Sequence, residues 1–331
     1  MPLAEGRSFE KSAKLLEGAI DIHIHPGPHL VSSPRRLNPF EVATNARDAG
    51  MQAVVFMDVF EMSNGTAWLV NQEVPDFMTY GGIILNTIYG GINPRAVKTA
   101  ICYGDGAKFV SFGTHSTYYQ ASHEGRIVDG NFQPLSKLYP KFEREELDRA
   151  IRIPRVEDPD EDLQEILDLI GNNPQVFMNT GHISVEEAIR LVELAPKFGI
   201  NNVLVASTVT NLATNEELGY MAEKGALIEF TYGAYTHTTV IPKTHYYVEK
   251  EYSVIDDRPD TGCKPTLRSA FEQINILGPE NCIISTDAGV YTLPEPVEAL
   301  REFITCLVDL GISESEISMM VKTNPERLLK I

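Results

Sequence analysis

The chain has 331 residues, 43% of them apolar, with four cysteines and a formal net charge of −18. That apolar share argues for a full core and against bulk disorder, and the length suits a (β/α)8 barrel as well as two smaller domains. The acidic balance argues against nucleic acid and anionic membrane as partners, and no apolar run nears the ~18 residues of a membrane span.

The N-terminal "MPLAEGRSFEKSAKLLEGA" is mixed in charge and lacks the apolar centre of a secretory signal. Cys102, Cys263, Cys282 and Cys306 are scattered, with no CxxC pair, and read as reduced thiols of a cytoplasmic protein. The expected partners are a small-molecule substrate and further copies of the same chain.

The first predicted strand, residues 19–25, reads "AIDIHIH". Alternate residues of a strand share a face, so the imidazoles of His23 and His25 point one way, and Pro26-Gly27-Pro28 stops the strand beyond them. A helix follows, capped by Asn38, opened by Pro39 and closed by Gly50. Strands are predicted at 53–60 ("AVVFMDVF") and 82–89 ("GIILNTIY"), then a helix from Pro94 to Gly104, then a strand at 107–115 ("AKFVSFGTH"). The connection over 116–160 is too long for a plain loop.

Residues 175–182 ("QVFMNTGH") form the fifth strand, and Ser184 with Glu187 makes a capping box for a helix that Gly199 ends. Strands at 201–208, 226–232 and 282–288 complete a set of eight, with a second long connection over 233–263. Near-continuous apolar strands alternating with capped helices predict an α/β protein, a single-domain (β/α)8 TIM barrel over 1–331. Its long loops after strands 4 and 7 leave the strand C-termini, the face where such barrels keep their sites.

On that rim His115, His182 and Asp287 end strands four, five and eight, beside His23 and His25. Imidazoles with one carboxylate suit Zn2+ first, with Fe2+ or Mn2+ tolerated. Such an ion lowers the pKa of a bound water, and Asp287 is placed to accept the proton.

"DIHIHPGP", "TGHIS", "STDAG" and the ending "VKTNPERLL" fall in order along nearly the whole chain, and together resemble the amidohydrolase superfamily of metal-dependent barrels. The first strand starts too early for a flanking β-sandwich, so the likeness is to a compact branch. The resemblance implies one divalent metal held by His23, His25, His182 and Asp287. It also exposes departures. Strand four has no bridging lysine, glutamate or cysteine at its end, Lys108 lying at the wrong end. Strand six offers Ser207 and Thr208 where a histidine is usual. His115, or His237 beyond strand seven, is then expected to replace it as hydrogen-bond donor.

Arg35 and Arg36, which follow strand one, are candidates to hold a substrate carboxylate, with Tyr232 and His123 as further substrate contacts. His245, Tyr246 and Tyr247 are candidates to close over substrate. His29 reads as structural, and Glu229, a charge inside an apolar strand, reads equally as a buried ion pair or a catalytic group. The leading function is metal-dependent hydrolysis of a C–N or C–O bond, of amide, lactam or lactone type, in a small carbonyl compound. The alternatives are a decarboxylase or lyase at the same mononuclear site, and a metal-poor barrel used for binding or assembly.

Overall fold

The computed structural model describes residues 7–29, 34–236 and 265–331. Its frame is eight parallel strands in chain order: β1 (Ile20–Ile24), β2 (Ala53–Phe56), β3 (Met78–Ile84), β4 (Phe109–Ser111), β5 (Phe177–Asn179), β6 (Val203–Val205), β7 (Leu227–Thr231) and β8 (Cys282–Ser285). β8 returns to β1 through a parallel bridge between Ala288 and Ile24. There the Asp287 N–H donates to the His23 carbonyl at 2.9 Å and the His25 N–H to the Ala288 carbonyl at 2.8 Å. The fold is thus the (β/α)8 barrel that the alternation of strands and helices predicts.

Two apolar clusters follow from the two faces of each strand. Val54, Phe56, Val110, Met178, Ile228 and Ile284 pack outward against helix residues such as Val42, Leu191 and Phe303. Ile22, Val55, Phe109, Phe177, Leu204, Leu227 and Ile283 form a second cluster, joined by Leu328 and Leu329 of the last helix. These side chains fill the barrel, as expected of the fold. Lys108 bonds the Leu329 carbonyl at 3.0 Å, which confirms that it lies with that helix, away from the rim.

The predicted punctuation holds. Asn38 with Glu41 and Ser184 with Glu187 both make reciprocal capping boxes, at the starts of helices Pro39–Asp48 and Val185–Leu194. β3 begins four residues earlier than expected, because Gly81 and Gly82 are not a break. A Cβ at Gly81 would meet the Ser63 carbonyl carbon and the Asn64 nitrogen at 2.3 Å, and one at Gly82 the Phe109 carbonyl oxygen at 2.3 Å. These glycines let neighbouring backbone approach.

The long connection after β4 carries helix Tyr118–His123, a hairpin of Gly125–Val128 with Asn131–Pro134, and a small core of Ala121, Leu135 and Phe142. After β7 the chain makes a short helix, Tyr232–Tyr235. No helix among the described residues is long and apolar enough to cross a membrane.

Candidate metal centre at the barrel mouth

The closure of β8 on β1 brings three side chains to one point. The Nε2 atoms of His23 and His25 lie 3.1 Å apart. Asp287 Oδ1 stands 2.9 Å from His25 Nε2 and 3.7 Å from His23 Nε2. Asp287 holds this place in a left-handed backbone conformation, φ +54°, which aspartate tolerates better than most residues but at some cost in strain. Its side chain remains 39% exposed, whereas His23 and His25 are 11% and 12% exposed, so the triad opens to solvent on the carboxylate's side.

The donor set can be tested against a cation. Ligand bonds of about 2.0–2.1 Å in a tetrahedral site put neighbouring ligand atoms about 3.3 Å apart. The three separations here, 3.1, 2.9 and 3.7 Å, bracket that value. Two imidazole nitrogens and a carboxylate oxygen make a borderline-soft set of three ligand atoms among the described residues, the number that catalytic zinc sites take from protein. The residues fit a divalent transition metal.

The surrounding charges favour a cation as well. Burial alone would lower the His23 pKa, but attraction by Glu229 and Asp287 outweighs it and raises the group to about 9. His25, buried and with His23 and Arg35 nearby, is pushed down to about 4 despite Asp287. Behind His23, Asp21 accepts bonds from the Thr286 hydroxyl at 2.6 Å and the His23 N–H at 3.1 Å, tying β1 to β8; burial raises its pKa to about 7. Glu229 is wholly buried and lies 2.9 Å from His23 Nδ1.

The other predicted residues fall in three places. His182 and His115 sit at the rim with their rings edge to face, centroids 5.9 Å apart, and His115 Nδ1 lies 3.1 Å from Glu124 Oε1. Among the described residues, the group whose ligand atoms are mutually within 4.8 Å is His23, His25 and Asp287, without His182. Arg35 lies within electrostatic reach of Asp58 and Asp287; burial lowers its pKa to about 10, and its Nε finds no hydrogen-bond partner among the described residues. Burial likewise raises Asp58, to about 6, although it accepts the Phe60 N–H at 2.6 Å.

Elsewhere the side chains are engaged away from the triad. Arg36 reaches the Leu293 carbonyl at 3.4 Å and Glu295 at 3.9 Å. Tyr232 is buried, 6.2 Å from the Phe303 ring and bonded to Glu302, and burial raises its pKa. His123 bonds the Tyr119 carbonyl at 2.7 Å and stacks on that ring, while His29 packs on Phe60. His237, His245, Tyr246 and Tyr247 lie outside the described residues.

Fold and site together define a (β/α)8 barrel with a two-histidine, one-carboxylate centre at its C-terminal mouth. The chain belongs to a family of unknown function (DUF6282), whose profile matches residues 18–229. No curated protein matches it. Among solved structures, the probable dipeptidase PvdM from Pseudomonas aeruginosa is similar at a TM-score of 0.61 and 10% identity, covering 98% of each chain. An amidohydrolase from Burkholderia multivorans is similar at 0.53 and 10%, covering 95% of this chain and 99% of that one. A mutant organophosphorus hydrolase from Deinococcus radiodurans is similar at 0.52 and 13%, covering 96% and 94%. At these identities the likeness is one of fold.

Proposed function

We propose that this chain is a metal-dependent hydrolase of the amidohydrolase type, cleaving a C–N or C–O bond in a small carbonyl compound. The observation that carries the proposal is the convergence of His23, His25 and Asp287 at strand C-termini, at separations that suit one divalent ion. The solved structures of similar fold include a probable dipeptidase, an amidohydrolase and a mutant organophosphorus hydrolase, which supports hydrolysis as the class. Zn2+ is the ion that best matches two imidazoles and a carboxylate, ahead of Fe2+ and Mn2+. When bound, it polarises the scissile carbonyl and brings the pKa of a coordinated water toward neutrality.

The chain's own residues do the rest. His23 in β1 and His25 just beyond it would hold the ion together with Asp287, whose carboxylate would also serve to accept a proton. His182, on the same rim, is the fourth donor that the sequence pattern implies. Ser207, where a histidine is usual, is a poor base near neutral pH, so His115 or His237 supplies the hydrogen bond to the developing oxyanion. Arg35, within electrostatic reach of Asp287 and with an Nε that has no hydrogen-bond partner among the described residues, is suited to an anionic group on the substrate.

The test is a panel of amides, lactams and lactones, with and without a carboxylate, offered to the protein before and after chelation. Turnover should vanish on chelation and return with one divalent metal. Turnover that survives complete metal removal would overturn the proposal.

A further inference from the structure

We infer that Glu229 is a positioning residue for the metal centre, holding His23 in the one tautomer and orientation that presents Nε2 to the ion. This rests on the reading of the triad as a metal site. Glu229 is wholly buried in β7, one strand removed from β1 around the barrel. Its carboxylate has three partners. Oε1 lies 2.9 Å from His23 Nδ1 and accepts the Ser285 hydroxyl at 2.8 Å, and Oε2 accepts the Ser207 N–H at 3.1 Å.

The Ser285 hydroxyl and the Ser207 N–H both donate to this carboxylate, which makes it an acceptor that a proton on Nδ1 of His23 would complete. The lone pair available for a ligand is then on Nε2, the atom that faces His25 and Asp287. Buried carboxylates are expensive unless fully bonded, and this one is bonded by donors from β1, β8 and the residue following Ala206 at the β6 end. The carboxylate is therefore held from three sides of the barrel, and it in turn holds the His23 ring. His25 offers the contrast: its Nδ1 is buried with no hydrogen-bond partner among the described residues, so no comparable group sets its orientation.

Ser207 stands where the superfamily resemblance leads one to expect a histidine, but its bond to Glu229 comes from the backbone N–H and does not depend on the side chain there.

A glutamine at this position is nearly isosteric but cannot satisfy the three donors. With its oxygen toward His23 and Ser285, its NH2 opposes the Ser207 N–H. Flipped, its NH2 donates to His23 Nδ1 and moves the ring proton to Nε2, which blocks the ligand atom.

The experiment compares Zn2+ affinity and stoichiometry of the full-length protein with those of Glu229→Gln and Ser285→Ala. The imidazole 15N shifts of the zinc-loaded protein report which nitrogen of His23 is bound. Glu229→Gln should weaken zinc binding by roughly 10- to 100-fold, the range for losing a partner of a ligating histidine. Ser285→Ala, which keeps the carboxylate, should lose less, and the 15N shifts should show zinc on Nε2 and a proton on Nδ1. Equal affinity in Glu229→Gln and the parent, or zinc on Nδ1, would overturn the positioning role while leaving the metal site standing. If Glu229→Gln does not fold, the 15N assignment in the parent still decides. No zinc uptake by the parent would overturn the metal reading, and this inference with it.

Discussion

His23 and His25 meet nitrogen to nitrogen at 3.1 Å, whereas His115 and His182, on the same barrel mouth, meet ring edge to ring face at 5.9 Å. The first pair is set by strand geometry. Both residues belong to β1 or its last step, β8 is hydrogen-bonded alongside, and a buried carboxylate holds one ring from behind. The second pair is set by loops. His115 follows the end of β4 and takes Glu124 from the long connection as its partner, and His182 follows β5. Residues of the same type at the same end of the same barrel thus have different prospects. What separates them is that His23 and His25 keep the alternation of one strand, whereas left-handed Gly113 and Gly181 turn the chain before His115 and His182.

The sharpest way to break this comparison is to remove the first pair and, separately, His115. His23→Ala with His25→Ala should abolish stoichiometric metal binding while the barrel remains folded, as read by circular dichroism and metal analysis. His115→Ala should keep the metal. The contrast collapses if the double variant retains its metal.

A subtler variant moves the first pair without touching a ligand. At Gly289 an added Cβ would lie 2.0 Å from the His25 carbonyl oxygen and 2.7 Å from the His25 Cβ. Gly289→Ala must therefore displace the backbone that aims His25. Metal affinity, measured by competition with a chelating dye, should fall at least about tenfold, on the scale of losing a group that orients a ligand. Unchanged affinity would show that the ring's direction does not depend on this close approach.

A third test turns to Asp58, which follows the end of β2. Burial raises Asp58 from 3.8 to about 6, so between those values the folded chain binds more protons than the unfolded one. Stability from this group is therefore highest below about pH 4, falls as pH rises toward 6, and stays reduced above it. Asp58→Asn can still accept the Phe60 and Glu61 N–H groups, and it removes the titration. Denaturant midpoints should show the variant more stable at pH 7, by at most about 3 kcal/mol, with no advantage at pH 4. An advantage at pH 4 equal to that at pH 7 would contradict the assignment.

Much of the frame was legible in the sequence, because strands and helices announce themselves locally. The alternation His23-Ile24-His25 gave the shared face, and Asn38-Pro39 and Ser184–Glu187 gave helix starts. Asp287 was readable from its place at the end of the last strand. Asp21 and Glu229 were not readable as partners of the site. Asp21 bonds Thr286, and Glu229 bonds His23 across 206 residues, and only barrel closure makes either contact. Glu229 announced itself only as a charge where the strand needs none. Nor could position at the rim say where His182 would turn, because Gly181, in a left-handed conformation (φ +67°), turns the chain between the end of β5 and His182 and breaks the strand's alternation. Tyr232 shows the same limit: predicted for the mouth, it packs near Phe303 and bonds Glu302.

The central claim is that three side chains from the two closing strands form a centre for one metal ion. Elemental analysis of the purified full-length protein, after exposure to zinc, iron and manganese and removal of loosely bound ions, tests it most directly. The account predicts about one equivalent of a single divalent transition metal per chain. No retained metal under any of these conditions would contradict it.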